Sequence, residues 1–457
     1  MRILILAATL AVAPLAPSAL AQIAPPASAE ARASAAGYKA LTLCSAIHNA
    51  RAAGGARSPE SVAAHEFVGI YPTLDPLIRD LSASFDDNRV SVAWDTTVPP
   101  RVAVYRDGGG CSIKPVGWTG PAGAPVAAAS STVPPVVDIP AAAPRGDVPA
   151  LAFAVVGAMG EAYGGGTNTT AVVVVQDGHL ISESYAPGFG PDVPQRTWSV
   201  AKSLAGTLIG AAVQRGEGGV DAPAAIANWQ VDGDPRRAVT TDNLLRMASG
   251  LTSDTAGNRT DALYFGGTTV DEQVPGWPLL AVPGTRYRYA NNDILLAVMG
   301  IAPTFAEHPP AALFARLGMV DTVAETDWRG NYMLSSQVWS TARDLARFGL
   351  LYLNDGIQDG QRILPEGWLA YVSRPSGPQP DGEFGYGATF WLMNRSDGVP
   401  ADTIAAFGNR GQYVVIVPDR RIVIVRRGED PTGNRFDIAA FTRDVLAALD
   451  QDDSGRP

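Results

Sequence analysis

The sequence predicts an α/β protein: a sheet-and-helix catalytic region preceded by a small α+β module. Three stretches carry the expectation for the main region. "TAVVVVQDGHLISESYAP" (170–187) is two strand-like runs meeting at Asp177-Gly178, a dipeptide suited to a tight hairpin turn. "SVAKSLAGTLIG" (199–210) repeats apolar Val200, Leu204 and Leu208 every four residues, a buried-helix spacing. "AAFGNRGQYVVIVPDRRIVIVRRG" (405–428) is a strand ending at Gly408, a turn around Gly411 and two β-rich runs. No internal repeat of fixed period interrupts this order.

Residues 1–21 are expected to be an export signal. Met1-Arg2 is followed by an apolar run that contains Pro14 and Pro17 and ends in the small-residue site Ala19-Leu20-Ala21. No later apolar run is long enough to span a bilayer, so no stable membrane insertion is expected. Residues 22–118 read as the α+β module, with a helical stretch "GYKALTLCSAIHNARAAG" and short alternating strands such as "RVSVAW" and "RVAVYRDGGG". The two cysteines of the chain, Cys44 and Cys111, both fall here. In an oxidising compartment such a pair predicts a disulfide. Residues 119–149, rich in Pro, Ala and Gly, read as an extended linker, and 150–457 as the catalytic domain.

Composition narrows the function. A net charge of −10 and a pI near 5.0 leave no basic face for nucleic acid or an anionic membrane. With both cysteines expected in the disulfide, no metal is expected. His48, His65, His179 and His308 are scattered, and Gly-x-Ser-x-Gly, His-Glu-x-x-His and the phosphate-binding glycine motifs are absent. No cofactor is expected.

What remains is a lysine. The chain has only three (Lys39, Lys114 and Lys202) and otherwise uses arginine. Lys202 follows Ser199 by three residues on the predicted helix, so the two share a face, roughly 5–6 Å apart between Cβ atoms. A buried lysine can lose its proton, which a guanidinium cannot. A neutral amine beside a serine hydroxyl at a helix start makes an activated nucleophile. Serine is also an ordinary N-cap, so the pair needs company. Tyr289-Ala290-Asn291 supplies it ahead of a second apolar run: a phenol can relay protons and an amide can hold a carbonyl. Gly408, at the end of the third strand, allows close approach of a substrate backbone. Trp198, Tyr287, Trp391 and Phe407 are candidates for either pocket wall or core.

With these pieces in order, the region from about 150 to 450 resembles the serine hydrolases of the class C β-lactamase and penicillin-binding DD-peptidase superfamily. Ser199-Val200-Ala201-Lys202 resembles its Ser-x-x-Lys and Tyr289-Ala290-Asn291 its Tyr-x-Asn. "LLRMASGL" (244–251), "PGTRYRYANND" (283–293), "STARDLARFGLLYLNDG" (340–356) and "GQYVVIVP" (411–418) also match its pattern. The "GNRGQ…VP…VIVRRG" ending is most similar to the aminohexanoate-oligomer hydrolase and esterase branch. The resemblance implies a layered α/β/α sandwich with an antiparallel sheet and a helical lobe. It implies Ser199 as acylated nucleophile, Lys202 as base, Tyr289 as proton shuttle and Asn291 as substrate-orienting residue. The backbone N–H groups of Ser199 and Asn409 would form the oxyanion hole.

One departure is expected to matter. The third motif of the superfamily is Lys-Thr-Gly; here Ala406-Phe407-Gly408 stands in its place, without the cation. Arg410 could restore the charge from the turn, and Phe407 could add apolar surface to the pocket. The reading is therefore an exported (periplasmic or secreted) hydrolase of small amides or esters. A true β-lactamase or DD-peptidase is one alternative. Another is a non-catalytic protein of the same fold that senses cell-wall fragments, although Ser199, Lys202 and Tyr289 together favour catalysis.

Overall fold

The computed structural model of the chain describes residues 27–120, 138–252, 260–375 and 377–450. The expected export segment and the middle of the expected linker (121–137) lie outside the described residues.

Helix α1 (Ala29–Ala52) starts where the Ser28 hydroxyl accepts a hydrogen bond from the Ala31 N–H at 3.1 Å. It packs on a four-stranded antiparallel sheet, β1 (Ala83–Asp86), β2 (Arg89–Val92), β3 (Arg101–Arg106) and β4 (Gly110–Ile113), paired in that order. Cys44 of α1 and Cys111 of β4 form a disulfide, with Cα atoms 6.1 Å apart.

The main sheet has seven antiparallel strands. In spatial order these are β7 (Gly385–Tyr386), β8 (Trp391–Leu392), β9 (Ile404–Gly408), β10 (Gln412–Val417), β11 (Ile422–Gly428), β5 (Thr169–Gln176) and β6 (His179–Tyr185). Asp177 and Gly178, between β5 and β6, both have positive φ, as the tight hairpin requires. Alternation along the strands builds two cores. Val173, Val175, Val414, Ile416, Val423 and Val425 face one side with helices α3 (Val200–Gln214) and α5 (Ala342–Leu353). Val172, Val174, Val415, Val417 and Ile424 face the other with α2 (Val148–Met159) and α6 (Ile438–Leu449). The result is the expected α/β/α sandwich with an antiparallel sheet. Between α3 and α5 a run of short helices, including α4 (Asn291–Ile301), forms the helical lobe.

The amino-terminal module shares the first of these cores, because residues of α1 and β2–β4 belong to the same apolar cluster as α3 and α5. Buried Glu325 joins the two parts. Its carboxylate accepts from Ser45, Asn49 and the Cys111 N–H on the module side, and from Gln337 and Trp339 on the other. The described end of the Pro/Ala-rich stretch lies along β6, where Leu180 donates to Pro140 O and accepts from the Ala142 N–H.

Candidate active site

Ser199 stands at the N-cap position of α3, a helix buried nearly throughout, and its hydroxyl makes no capping hydrogen bond. Small residues allow that burial: a Cβ on Gly210 would come within 2.6 Å of the Trp368 indole. One turn in, buried Lys202 places Nζ 2.8 Å from Ser199 Oγ, 2.6 Å from Asn291 Oδ1 and 2.8 Å from the Ser335 carbonyl. Desolvation holds its ammonium pKa well below the ordinary 10.5, and the nearby Arg196 guanidinium lowers it further. Two of its three partners, the Asn291 and Ser335 oxygens, can only accept. A neutral amine gives its two N–H bonds to them and keeps its lone pair for the serine hydroxyl.

Tyr289 closes the other side of Ser199. Its phenol is close enough to Ser199 for the serine side chain to lower its pKa, and Lys202 Nζ lies 5.0 Å from its ring centroid. Burial pushes the phenol pKa up, more than the neighbouring serine lowers it, so the group is a neutral phenol near pH 7. Asn291, at the start of α4, accepts from Lys202 and donates through Nδ2 to Thr260 Oγ1 at 2.9 Å. Both ends of its amide are engaged within the protein, and its direct contact is with Lys202.

The third strand arrives at Gly408. A Cβ there would press on the Thr197 carbonyl oxygen and lie 3.2 Å from the Ser199 nitrogen, so the strand end and the helix start touch only because residue 408 is glycine. This brings the Asn409 turn beside Ser199.

The neighbouring side chains divide. Ala406 is buried on the α3 side of the sheet. Phe407 packs on the opposite side, stacked on Trp391 at 5.6 Å and edge-on to Phe384 and Tyr413. Its ring is therefore a wall of the second core, and Trp391 links it to the site, its ring 5.5 Å from that of Tyr289. Tyr287 packs on Tyr386 at 5.5 Å, and Trp198 lies beneath the Arg196 guanidinium at 3.8 Å.

Arg410 does not restore the missing cation. Its buried guanidinium points to the amino-terminal module and is spent on Glu429 and on carbonyls of His65, Val68 and Gly69. The histidines also lie elsewhere: His48 stacks on Tyr105, His65 neighbours Asn168, His179 is on the hairpin and His308 pairs with Glu217.

Sequence reasoning missed Ser335, Thr260 and Arg196. Ser335 holds Lys202 through a backbone carbonyl that any residue would provide, and Thr260 is 31 positions from Asn291, so neither leaves a motif. Arg196 stands three residues before Ser199 without a distinguishing pattern.

A serine and a buried lysine at a helix start, beneath the end of an antiparallel strand, define a serine acyl hydrolase. The Beta-lactamase family model matches residues 154–449, and the chain belongs to that family. It is similar to the 6-aminohexanoate-dimer hydrolase of Paenarthrobacter ureafaciens, 26% identical over 304 residues, which span 58% of this chain and 74% of the relative. Its fold is similar to the octameric penicillin-binding protein homologue from Pyrococcus abyssi, with a TM-score of 0.52 and 19% identity over 66% of this chain and 77% of that one.

Proposed function

We propose that the protein is an exported serine hydrolase that cleaves small esters or amides through an acyl-enzyme on Ser199. The observation that carries the reading is the desolvated Lys202 amine 2.8 Å from the Ser199 hydroxyl. Lys202 takes the hydroxyl proton as Ser199 Oγ attacks the carbonyl carbon. The N–H groups of Ser199 and Asn409 receive the developing oxyanion, aided by the positive end of α3. Tyr289, a neutral phenol, gives its proton to the departing alcohol or amine and recovers the one that Lys202 took from Ser199. Water then repeats the sequence on the acyl-enzyme. Asn291, expected to orient the substrate, instead acts by keeping the lysine aimed.

The substrate class follows from charge. Ala406 offers no cation, Arg410 is committed to the module, and Lys202 and Arg196 are buried on protein acceptors. A substrate without an essential carboxylate fits this surface, such as a short-chain ester; the amide candidate is a linear one of the kind named for the Paenarthrobacter relative. Export is supported by the Met1–Ala21 segment together with the Cys44–Cys111 disulfide. Among the described residues no helix is long and apolar enough to cross a membrane.

The test is a substrate panel with an active-site label. Short-chain p-nitrophenyl esters should exceed nitrocefin in kcat/KM by at least about tenfold, about 1.4 kcal/mol of barrier. A fluorophosphonate should label wild type and not Ser199→Ala. Efficient nitrocefin turnover contradicts the substrate class; equal labelling of Ser199→Ala contradicts the nucleophile.

A further inference from the structure

Both proposed oxyanion donors adjoin a non-glycine residue in the left-handed region. Trp198, just before Ser199, has φ +49°, and Arg410, just after Asn409, has φ +58°. Such backbone persists only where surrounding contacts over-determine it. At both places contacts come from one short segment, residues 65–71, which precedes the residues matched by the family.

Arg410 donates from Nη2 to the His65 carbonyl at 2.8 Å and from Nη1 to those of Val68 at 2.8 Å and Gly69 at 3.2 Å. Its Nε is held by Glu429 at 2.8 Å, which fixes the plane of the fork. At the other donor, the Tyr71 ring packs against the Trp198 indole, with centroids 6.5 Å apart at 62°. The segment itself is tied to the domain. Thr432 donates its N–H to Gly69 O at 2.6 Å and its hydroxyl to Ile70 O at 2.8 Å. Gly69, at φ +60°, sits so close to Pro431 that a Cβ would approach the proline Cβ to 2.5 Å.

We infer that segment 65–71 of the amino-terminal module is a positioning element of the active site. It braces Trp198 through Tyr71 and Arg410 through three carbonyls, and so sets the spacing of the Ser199 and Asn409 N–H groups. The inference rests on the acyl-enzyme reading above. An oxyanion hole works only with its donors about 2.7–3.1 Å from the oxygen, so a relaxed turn loses catalysis before it loses the fold. Lysine in place of Arg410 keeps the charge but cannot span three carbonyls with a planar fork.

The experiment compares full-length wild type, Arg410→Lys, Tyr71→Leu and Tyr71→Phe, each below its own thermal midpoint. The readouts are fluorophosphonate labelling and kcat for an ester and for its thionoester, whose sulfur uses such a hole poorly. Arg410→Lys and Tyr71→Leu should still label at Ser199, lose about tenfold in oxoester kcat, and show an oxoester-to-thionoester ratio lowered by a similar factor. Tyr71→Phe, which keeps the ring, should retain the wild-type ratio. Should Arg410→Lys fail to fold, the Tyr71 pair decides. A folded Tyr71→Leu or Arg410→Lys with wild-type kcat and ratio overturns the inference. Wild type that fails to label at Ser199 overturns the acyl-enzyme reading instead.

Discussion

Lys202 is the residue that the rest of the site serves. Its charge could be supplied by arginine, as it is almost everywhere else in this chain, but its titration could not. Burial first and Arg196 second favour the free amine, and the two obligate acceptors aim its lone pair at Ser199. Gly408 is the backbone counterpart. In Gly408→Ala the new Cβ meets the Thr197 carbonyl and the Ser199 nitrogen, main-chain atoms that cannot rotate aside as a side chain would. A misplacement of about 1 Å at this point should lower kcat at least about tenfold. Steady-state ester hydrolysis measures it, with the thermal midpoint recorded alongside; wild-type kcat contradicts the assigned strand-to-helix contact.

At the scale of elements, legibility followed periodicity. The hairpin at Asp177-Gly178, the helix after Ser199 and the strand ending at Gly408 each announce themselves within a few residues, and each stands as expected. The Ser199–Lys202 contact was legible for the same reason, since a helix brings residues three apart together. The side-chain direction of Arg410 was not: its partners in the amino-terminal module lie more than 340 positions away, and no local pattern encodes such a pairing. Phe407 illustrates the same limit, because the period of two puts it on the face away from Ala406, but only the register against Trp391 shows what that face touches. Glu325 is another long-range device, with five donors converging on one buried carboxylate. Glu325→Gln turns one oxygen into a donor facing donors, at an expected cost on the order of 2–3 kcal/mol. Urea unfolding followed by circular dichroism measures it, and a change below about 0.5 kcal/mol contradicts the assigned role.

For the whole molecule, the module and the hydrolase share one core, and the disulfide closes a loop of 67 residues within the module. Constraining the unfolded chain over that length is worth about 4 kcal/mol in the loop-entropy model. The double variant Cys44→Ala/Cys111→Ala should lose stability of that order, and because the core is shared the loss should lower the stability of the hydrolase as well. Unfolding followed by ester hydrolysis and by tryptophan fluorescence tests both points. A hydrolase transition unmoved by removal of the disulfide contradicts the shared core.

The most direct test of the central claim is kcat, across pH, for wild type and Lys202→Arg, with the thermal midpoint of each. Wild type should lose kcat/KM as pH falls through the depressed Lys202 pKa, because the protonated amine cannot act as a base. Lys202→Arg keeps the helix propensity but stays protonated at every working pH, so kcat should fall about 10²–10⁴-fold with the protein still folded. Activity of folded Lys202→Arg within about threefold of wild type, less than 1 kcal/mol of barrier, would mean that Lys202 does not take the proton from Ser199.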